Sequence, residues 1–208
     1  MRVIPLSDPF PEVRFGDQKK TKDGRYFFPI RDETGEAPCF QLNKMTIECP
    51  VEPIGEDCVI RRRMHVEPTN EYTPNAERFT RADKEVVRMV LAEKNTMFPG
   101  KTFQDKQIKG RFVKSLAPKV GCRVSPDLKV FDANKDELAL EKIADIAWES
   151  TWCDLIVRWN GVWFEQHRFG LSWELVQVRV RDLAPLGYCF DDQTPDESDD
   201  EILDFFPE

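Results

Sequence analysis

Cations and aromatic rings alternate along three stretches of the 208-residue chain. Lys19, Lys20, Lys22 and Arg25 precede Tyr26, Phe27 and Phe28. Lys101, Phe103, Lys106, Lys109, Arg111, Phe112 and Lys114 interleave, and Arg158, Trp159, Trp163 and Arg168 gather around Asn160-Gly161. A further run, Arg61-Arg62-Arg63, lies in a strand-like segment, where twofold alternation puts Arg61 and Arg63 on one face and Arg62 on the other. Single-stranded nucleic acid asks for this mixture: cations track the phosphates, and exposed rings stack on bases without reading sequence. The residues expected at phosphates are Lys44, Arg61, Arg63, Lys109, Arg111, Lys114 and Arg158; those expected to stack are Tyr26, Phe28, Trp159 and Trp163. The competing role for each is structural. Rings in strands commonly belong to the core, as expected for Phe164 and Trp173, and Arg in a strand commonly lines a solvated face.

Catalytic chemistry finds less to work with. The sequence has no G-x-x-x-x-G-K-[ST] phosphate loop, no G-x-G-x-x-G and no G-x-S-x-G elbow. Its two histidines, His65 and His167, rule out a metal centre built on several imidazoles, and no E-x-K follows clustered carboxylates as in a metal-dependent nuclease. The six cysteines (Cys39, Cys49, Cys58, Cys122, Cys153, Cys189) form no C-x-x-C pair, so they are read as small buried apolar side chains, with convergence of three of them and His65 on zinc as the alternative. A non-enzymatic protein without metal or cofactor is expected.

Charge then separates the chain in two. The formal net charge is −8, yet nine acids and no Lys or Arg fall between residues 191 and 208. Removing that segment leaves 29 acids against 30 bases, a net +1, in residues 1–190. We therefore expect one domain over residues 1–190 and a disordered acidic tail over 191–208. The tail carries Ile202, Leu203, Phe205 and Phe206 near its end. A merely solubilising tail has no need of rings, so its acids are expected to compete for a basic groove while Phe205 and Phe206 dock on a partner. No apolar run approaches the roughly 18 residues of a membrane span, and Met1-Arg2-Val3-Ile4-Pro5 lacks a signal-peptide core, so an intracellular, reducing setting is expected.

The elements that must position these residues are mainly strands. Residues 25–30 and 40–47 read as strands joined in a hairpin, the second with Phe40, Leu42, Met45 and Ile47 inward. Residues 58–66 give another. Thr80-Arg81-Ala82-Asp83 has capping-box spacing ahead of Val86, Val87, Val90 and Leu91, and a second helix is expected over 135–148. Asn160-Gly161 between residues 151–159 and 162–166 is a strong tight-hairpin signal. In residues 170–180 the inward parity changes from Leu171, Trp173 and Leu175 to Val176, Val178 and Val180, which predicts a bulge. The fold expected is mainly β (α+β), an OB-like five- or six-stranded barrel with inserted helices; a two-sheet sandwich is the competitor.

Two resemblances bear on this. The acidic tail with an aromatic near its end resembles those of bacterial single-stranded-DNA-binding proteins and the analogous replication proteins of T-odd bacteriophages, although here Pro207 and Glu208 follow Phe206. Gly24-Arg25-Tyr26-Phe27-Phe28-Pro29-Ile30, Cys39-Phe40-Gln41-Leu42-Asn43-Lys44-Met45 and Phe169-Gly170-Leu171-Ser172-Trp173-Glu174-Leu175-Val176-Gln177-Val178 resemble segments of the single-stranded-DNA-binding proteins of large eukaryotic DNA viruses. The resemblance implies an OB core and a role in replication, recombination or repair; the partners expected are single-stranded DNA, replication proteins reached through the tail and a second copy in a homodimer. Its rivals are a protein-interaction or virion structural domain and a processing enzyme.

Overall fold

The computed structural model describes residues 2–5, 7–21, 24–48, 63–68, 73–98, 102–116, 119–139, 142–143, 146, 148, 151–165 and 168–181, with the backbone alone for 63–68 and 73. Arg61, His167, Cys49, Cys58, Cys189 and the tail with Phe205 and Phe206 lie outside them. Among the described residues, ten strands and three helices follow in order. They are β1 (Val3–Ile4), β2 (Val13–Phe15), β3 (Lys19–Lys20), β4 (Tyr26–Asp32), β5 (Cys39–Glu48), β6 (Arg63–Pro68), α1 (Thr73–Ala92), α2 (Lys94–Met97), α3 (Asp105–Lys109), β7 (Phe112–Val113), β8 (Val120–Phe131), β9 (Cys153–Phe164) and β10 (Phe169–Val180).

The ten strands make one mixed sheet in a mainly β, α+β architecture, with more strands than the OB-like five- or six-stranded barrel expected. Five strands are joined in a circuit: β5 pairs β6, β6 pairs β8, β8 pairs β10, β10 pairs β9, and β9 also pairs β5. Every pairing in it is antiparallel except β8 with β10. Outside the circuit β4 extends the sheet from β9, β2 and β3 add to β4, β1 adds to β5 and β7 adds to β10. Hence β4 and β5 are not the hairpin expected. Both lie against β9, β5 along residues 153–158 and β4 along 161–164.

Inward parity in β5 is as read, with Phe40, Leu42, Met45 and Ile47 fully buried. The switch from even to odd positions falls at Asn43–Lys44, where the register to β9 shifts and Lys44 takes a φ of 52°. The predicted bulge in β10 is present: the register to β9 shifts between Leu175, opposite Val157, and Gln177, opposite Ile156, which leaves Val176 as the extra residue.

The Asn160-Gly161 hairpin is not there. Both residues lie inside the continuous strand β9. Asn160 is a bulge, unpaired between Trp159, opposite Trp173, and Gly161, opposite Ser172. Gly161 answers a different need, the crossing of β4: a Cβ on it would stand 2.3 Å from the carbonyl oxygen of Phe28 and 3.0 Å from Cα of Pro29. The same two residue types serve a turn or a bulge beside a close approach, and here backbone proximity takes precedence.

Helix α1 starts at Thr73-Pro74, seven residues before the expected cap, with proline where a missing N–H costs nothing. Thr80 bonds back to the Ala76 carbonyl at 2.9 Å, and the Asp83 carboxylate accepts the backbone N–H and hydroxyl of Ser115. The apolar stripe Phe79, Ala82, Val86, Met89 and Val90 closes on the core. Phe79 meets Trp173 edge-on at 5.0 Å, and Trp173 stacks on Trp159 at 5.9 Å. The N-terminal arm is drawn in as well: Phe10 stacks on Phe40 at 5.6 Å, while Arg78 donates to the carbonyls of Pro5 and Asp8.

Where the second helix was expected, residues 135–139 are not helical. Asp132 accepts the Asp136 N–H at 2.9 Å, Lys135 has a φ of 74°, and Glu137 bridges to Phe131, so the segment opens with a turn. Among the described residues of 135–148, only 142–143 are α-helical.

The close approach at Gly161 makes a test. Gly161→Ala should lower the free energy of unfolding in urea by at least the roughly 1–3 kcal/mol of an overpacked site, because backbone and not a flexible side chain must move. An unchanged midpoint would show that β4 does not depend on this crossing.

Candidate nucleic-acid interface

Residues directly opposite in a sheet share a face. One row crosses five strands: Lys19 on β3, Phe27 on β4, Trp163 on β9, Gly170 on β10 and Val113 on β7. It faces away from the core. Phe27 and Trp163 are half-buried and Val113 is exposed, whereas the neighbouring Phe28 and Phe164 are buried and touch edge-on at 5.3 Å. Each outer ring lies on a glycine. Cζ of Phe27 comes within 2.6 Å of where a Gly161 Cβ would be, and Cζ2 of Trp163 within 2.7 Å of the corresponding point on Gly170. The Trp163 indole N–H is held by the Leu171 carbonyl at 3.0 Å, so this ring is fixed in orientation. The result is an aromatic shelf laid on the outer surface of the sheet.

Cations border the shelf. The Arg168 guanidinium lies 6.0 Å from the Trp163 ring centre and pairs with Glu165 at 2.7 Å, and Glu165 also pairs with Arg25 at 3.1 Å. Lys19 is exposed at the end of the row. Pairing of β7 with β10 brings the run from Arg111 to Lys114 alongside Phe169–Gly170. Arg111 covers the Phe103 ring at 4.3 Å, and Lys109 and Lys114 are exposed.

Farther along the same face a second row joins Arg63 on β6, Arg123 on β8, Glu174 on β10 and Arg158 on β9. Arg123 is exposed; Arg158 pairs with Glu174 at 3.3 Å, and Glu174 also accepts the Asn160 amide at 2.9 Å. Arg63 is placed by backbone register alone.

Two of the four rings expected to stack do not face outward. Phe28 and Trp159 are core residues, 8% and 0% exposed, and cannot stack on a ligand. Phe27 is the outward ring on β4. Trp163 keeps its expected surface position, and Tyr26, 46% exposed, stands at the edge beside Lys20. Lys44 lies with a different group: its ammonium sits 5.5 Å from the ring centre of Trp152, an exposed indole that the reading overlooked.

That group is organised by Asp154, which is buried and accepts Arg181 at 2.9 Å, Arg179 from the neighbouring strand, and the Lys44 backbone N–H at 3.2 Å. Burial pushes the Asp154 carboxyl up, but the hydrogen bonds from Arg181, Arg179 and Lys44 outweigh it and hold it below the ordinary 3.8. The thiols of Cys122 and Cys153 are pushed up to about 12, in both cases chiefly by burial, and Cys39 is raised by burial against the opposing effect of Arg158. All three are buried side chains at neutral pH rather than thiolates.

A mainly β domain carrying an outer cation–aromatic face is what the geometry defines. By sequence, the chain belongs to a family of unknown function, DUF5871, whose family model matches residues 62–193. No curated protein matches it. Among solved structures it is similar to the single-stranded DNA-binding protein from bacteriophage Enc34 in complex with ssDNA, at 14% identity and a TM-score of 0.42 over 76% of this chain and 93% of that one. It is similar to a second structure of the single-stranded DNA-binding protein from bacteriophage Enc34 at 14% identity and a TM-score of 0.43, over 88% of this chain and 98% of that one. A C-terminal truncation gives 11% and 0.43, over 84% and 97%.

Asp154 gives a pH-dependent prediction. Because its native carboxyl ionises below the ordinary value, the stability it adds is full above 3.8 and disappears as pH falls through the lowered native value. Asp154→Asn should therefore be less stable than wild type at neutral pH, and the gap in denaturant midpoint should close on acidification. A constant gap from neutral to acid pH would assign the loss to packing alone.

Proposed function

We propose that this chain binds single-stranded DNA on the outer face of β4, β9 and β10. The carrying observation is the pair of outward rings, Phe27 and Trp163, each seated on a glycine and bordered by Lys19 and Arg168. Stacking needs a flat ring presented to solvent at fixed orientation, and phosphate contact needs cations at the same surface. Arg158, Arg123 and Arg63 continue the path across the sheet, with Lys109, Arg111 and Lys114 at its β7 edge.

The five-strand circuit with its single parallel pairing is an OB-type arrangement. The protein protects single strands during replication, recombination or repair, and binding rather than catalysis is its activity. Residues 191–208 compete with DNA for the cationic face and, when displaced, present Phe205 and Phe206 to replication proteins; a homodimer would lengthen the path.

Titration of an oligo-dT with salt tests this. The affinity should fall linearly with salt on a log–log plot, with a slope near −0.7 per phosphate contacted. Binding should quench tryptophan emission. Phe27→Ala and Trp163→Ala should each weaken binding by about 5- to 150-fold, corresponding to roughly 1–3 kcal/mol per stacked base. Deleting residues 191–208 should tighten it. Absence of binding by the tail-less protein at low salt would sink the reading.

A further inference from the structure

At the far end of the same face the sheet holds a cleft of about 270 Å³. Two cross-strand rows make its floor. Gln41, Ile156 and Gln177 stand side by side on β5, β9 and β10, and Asp154, Arg179 and Phe131 form the next row on β9, β10 and β8. The bulge at Val176 shifts the register between Leu175 and Gln177, so the cleft begins where the sheet's regular pleat is interrupted. Lys135, exposed on the turn after β8, stands at the rim.

The lining has a specific chemistry. Two primary amides, each with a donor and an acceptor, sit beside the flat ring of Phe131 and the apolar flank of Ile156. Gln41 donates to the Asn43 side chain at 2.9 Å, which fixes its amide. Arg179 and Lys135 add cations that suit a phosphate. A cleft of this volume has room for one heterocyclic ring. Paired amide donors and acceptors are how side chains read base edges, whereas rings alone stack on any base.

We propose that this cleft takes one nucleobase of the bound strand and discriminates among bases through Gln41 and Gln177, with Arg179 or Lys135 on the adjoining phosphate. The inference rests on the binding reading above. It adds a base-selective site about six strand positions, or roughly 20 Å, from the aromatic shelf.

The test uses the full chain and four homo-oligodeoxynucleotides of equal length at one salt concentration. Wild type should bind them with affinities spread by about fivefold or more. Gln177→Leu, and the double variant Gln41→Leu with Gln177→Leu, should narrow that spread towards unity. Both should keep the wild-type salt slope and tryptophan quenching, because the shelf is intact. The single variant keeps the Gln41–Asn43 bond and guards against a folding defect in the double, checked by its thermal midpoint. An unchanged spread in a folded variant would overturn the cleft while leaving binding at the shelf in place. So would an equal loss for all four oligomers, or a variant effect that vanishes when residues 191–208 are deleted, which would make the tail the occupant. No binding of any oligomer by wild type or tail-less protein would overturn both readings.

Discussion

Strand β9 has to serve three neighbours, and it does so by changing partner at Asn160-Gly161. Along one edge it pairs with β10 throughout; along the other it pairs with β5 up to Arg158 and with β4 from Gly161 onward. The Trp159 N–H goes to the Pro38 carbonyl, just before the change. Only a residue without a Cβ allows Phe28 and Pro29 to arrive at that point. The circuit of β5, β6, β8, β10 and β9 and the outward extension through β4 thus meet at one glycine. The aromatic shelf depends on it too, since Phe27 is carried by β4 and its ring occupies the space that Gly161 leaves.

The bulges explain how a small sheet puts core and ligand chemistry on the same strands. A strand alternates with period two, so Trp159 and Trp163 would share a face in a regular strand. The extra residue at Asn160 reverses the alternation: residues 153, 155, 157 and 159 point inward before it, and 162 and 164 after it. Trp159 is therefore stacked in the core on Trp173 while Trp163 lies outside on Gly170. The same reversal occurs in β5 at Asn43–Lys44 and in β10 at Val176. Bulges increase local twist, and three in neighbouring strands supply curvature that brings β5 round to β9.

This also marks what could be read without coordinates. In β10 the reversal was legible because large apolar residues flank it on both sides, Leu171, Trp173 and Leu175 before it, Val176 and Val178 after it. In β9 the signal was masked by Asn160-Gly161, which local rules assign to a turn. With that turn assumed, Trp159 and Trp163 became the two arms of a hairpin and both were placed near a surface. Phe28 was misplaced for a simpler reason: three consecutive rings, Tyr26, Phe27 and Phe28, carry no alternation of their own. Burial of Ile30 settles their parity, and Phe27 then points out. The start of α1 was missed because Thr80 and Asp83 imitate a cap while their side chains bond to Ala76 and Ser115. The Trp152–Lys44 pair had no sequence signal, since the two come together only through the β5 bulge and Asp154.

Acids on the interface do not argue against an anionic ligand. Glu174 pairs with Arg158 in a half-buried pair, whereas Glu165 pairs with Arg168 and Arg25, whose side chains are exposed. Exposed pairs of this kind contribute about 0–1 kcal/mol, so exchanging a carboxylate for a phosphate oxygen costs little. While no ligand is bound, the pairing limits repulsion among cations gathered on one face of a body whose net charge is only +1. Asp154 differs in kind. It is buried, it holds two guanidiniums and a backbone N–H, and its loss would leave Arg179 and Arg181 without the partner that orders them. Exposed acids and a buried one therefore divide the face: the cations near Trp163 are held by exposed pairs, and Arg179 and Arg181 near the cleft by a buried carboxylate. A fixed geometry is what discrimination between ligands requires, whereas sequence-tolerant stacking does not.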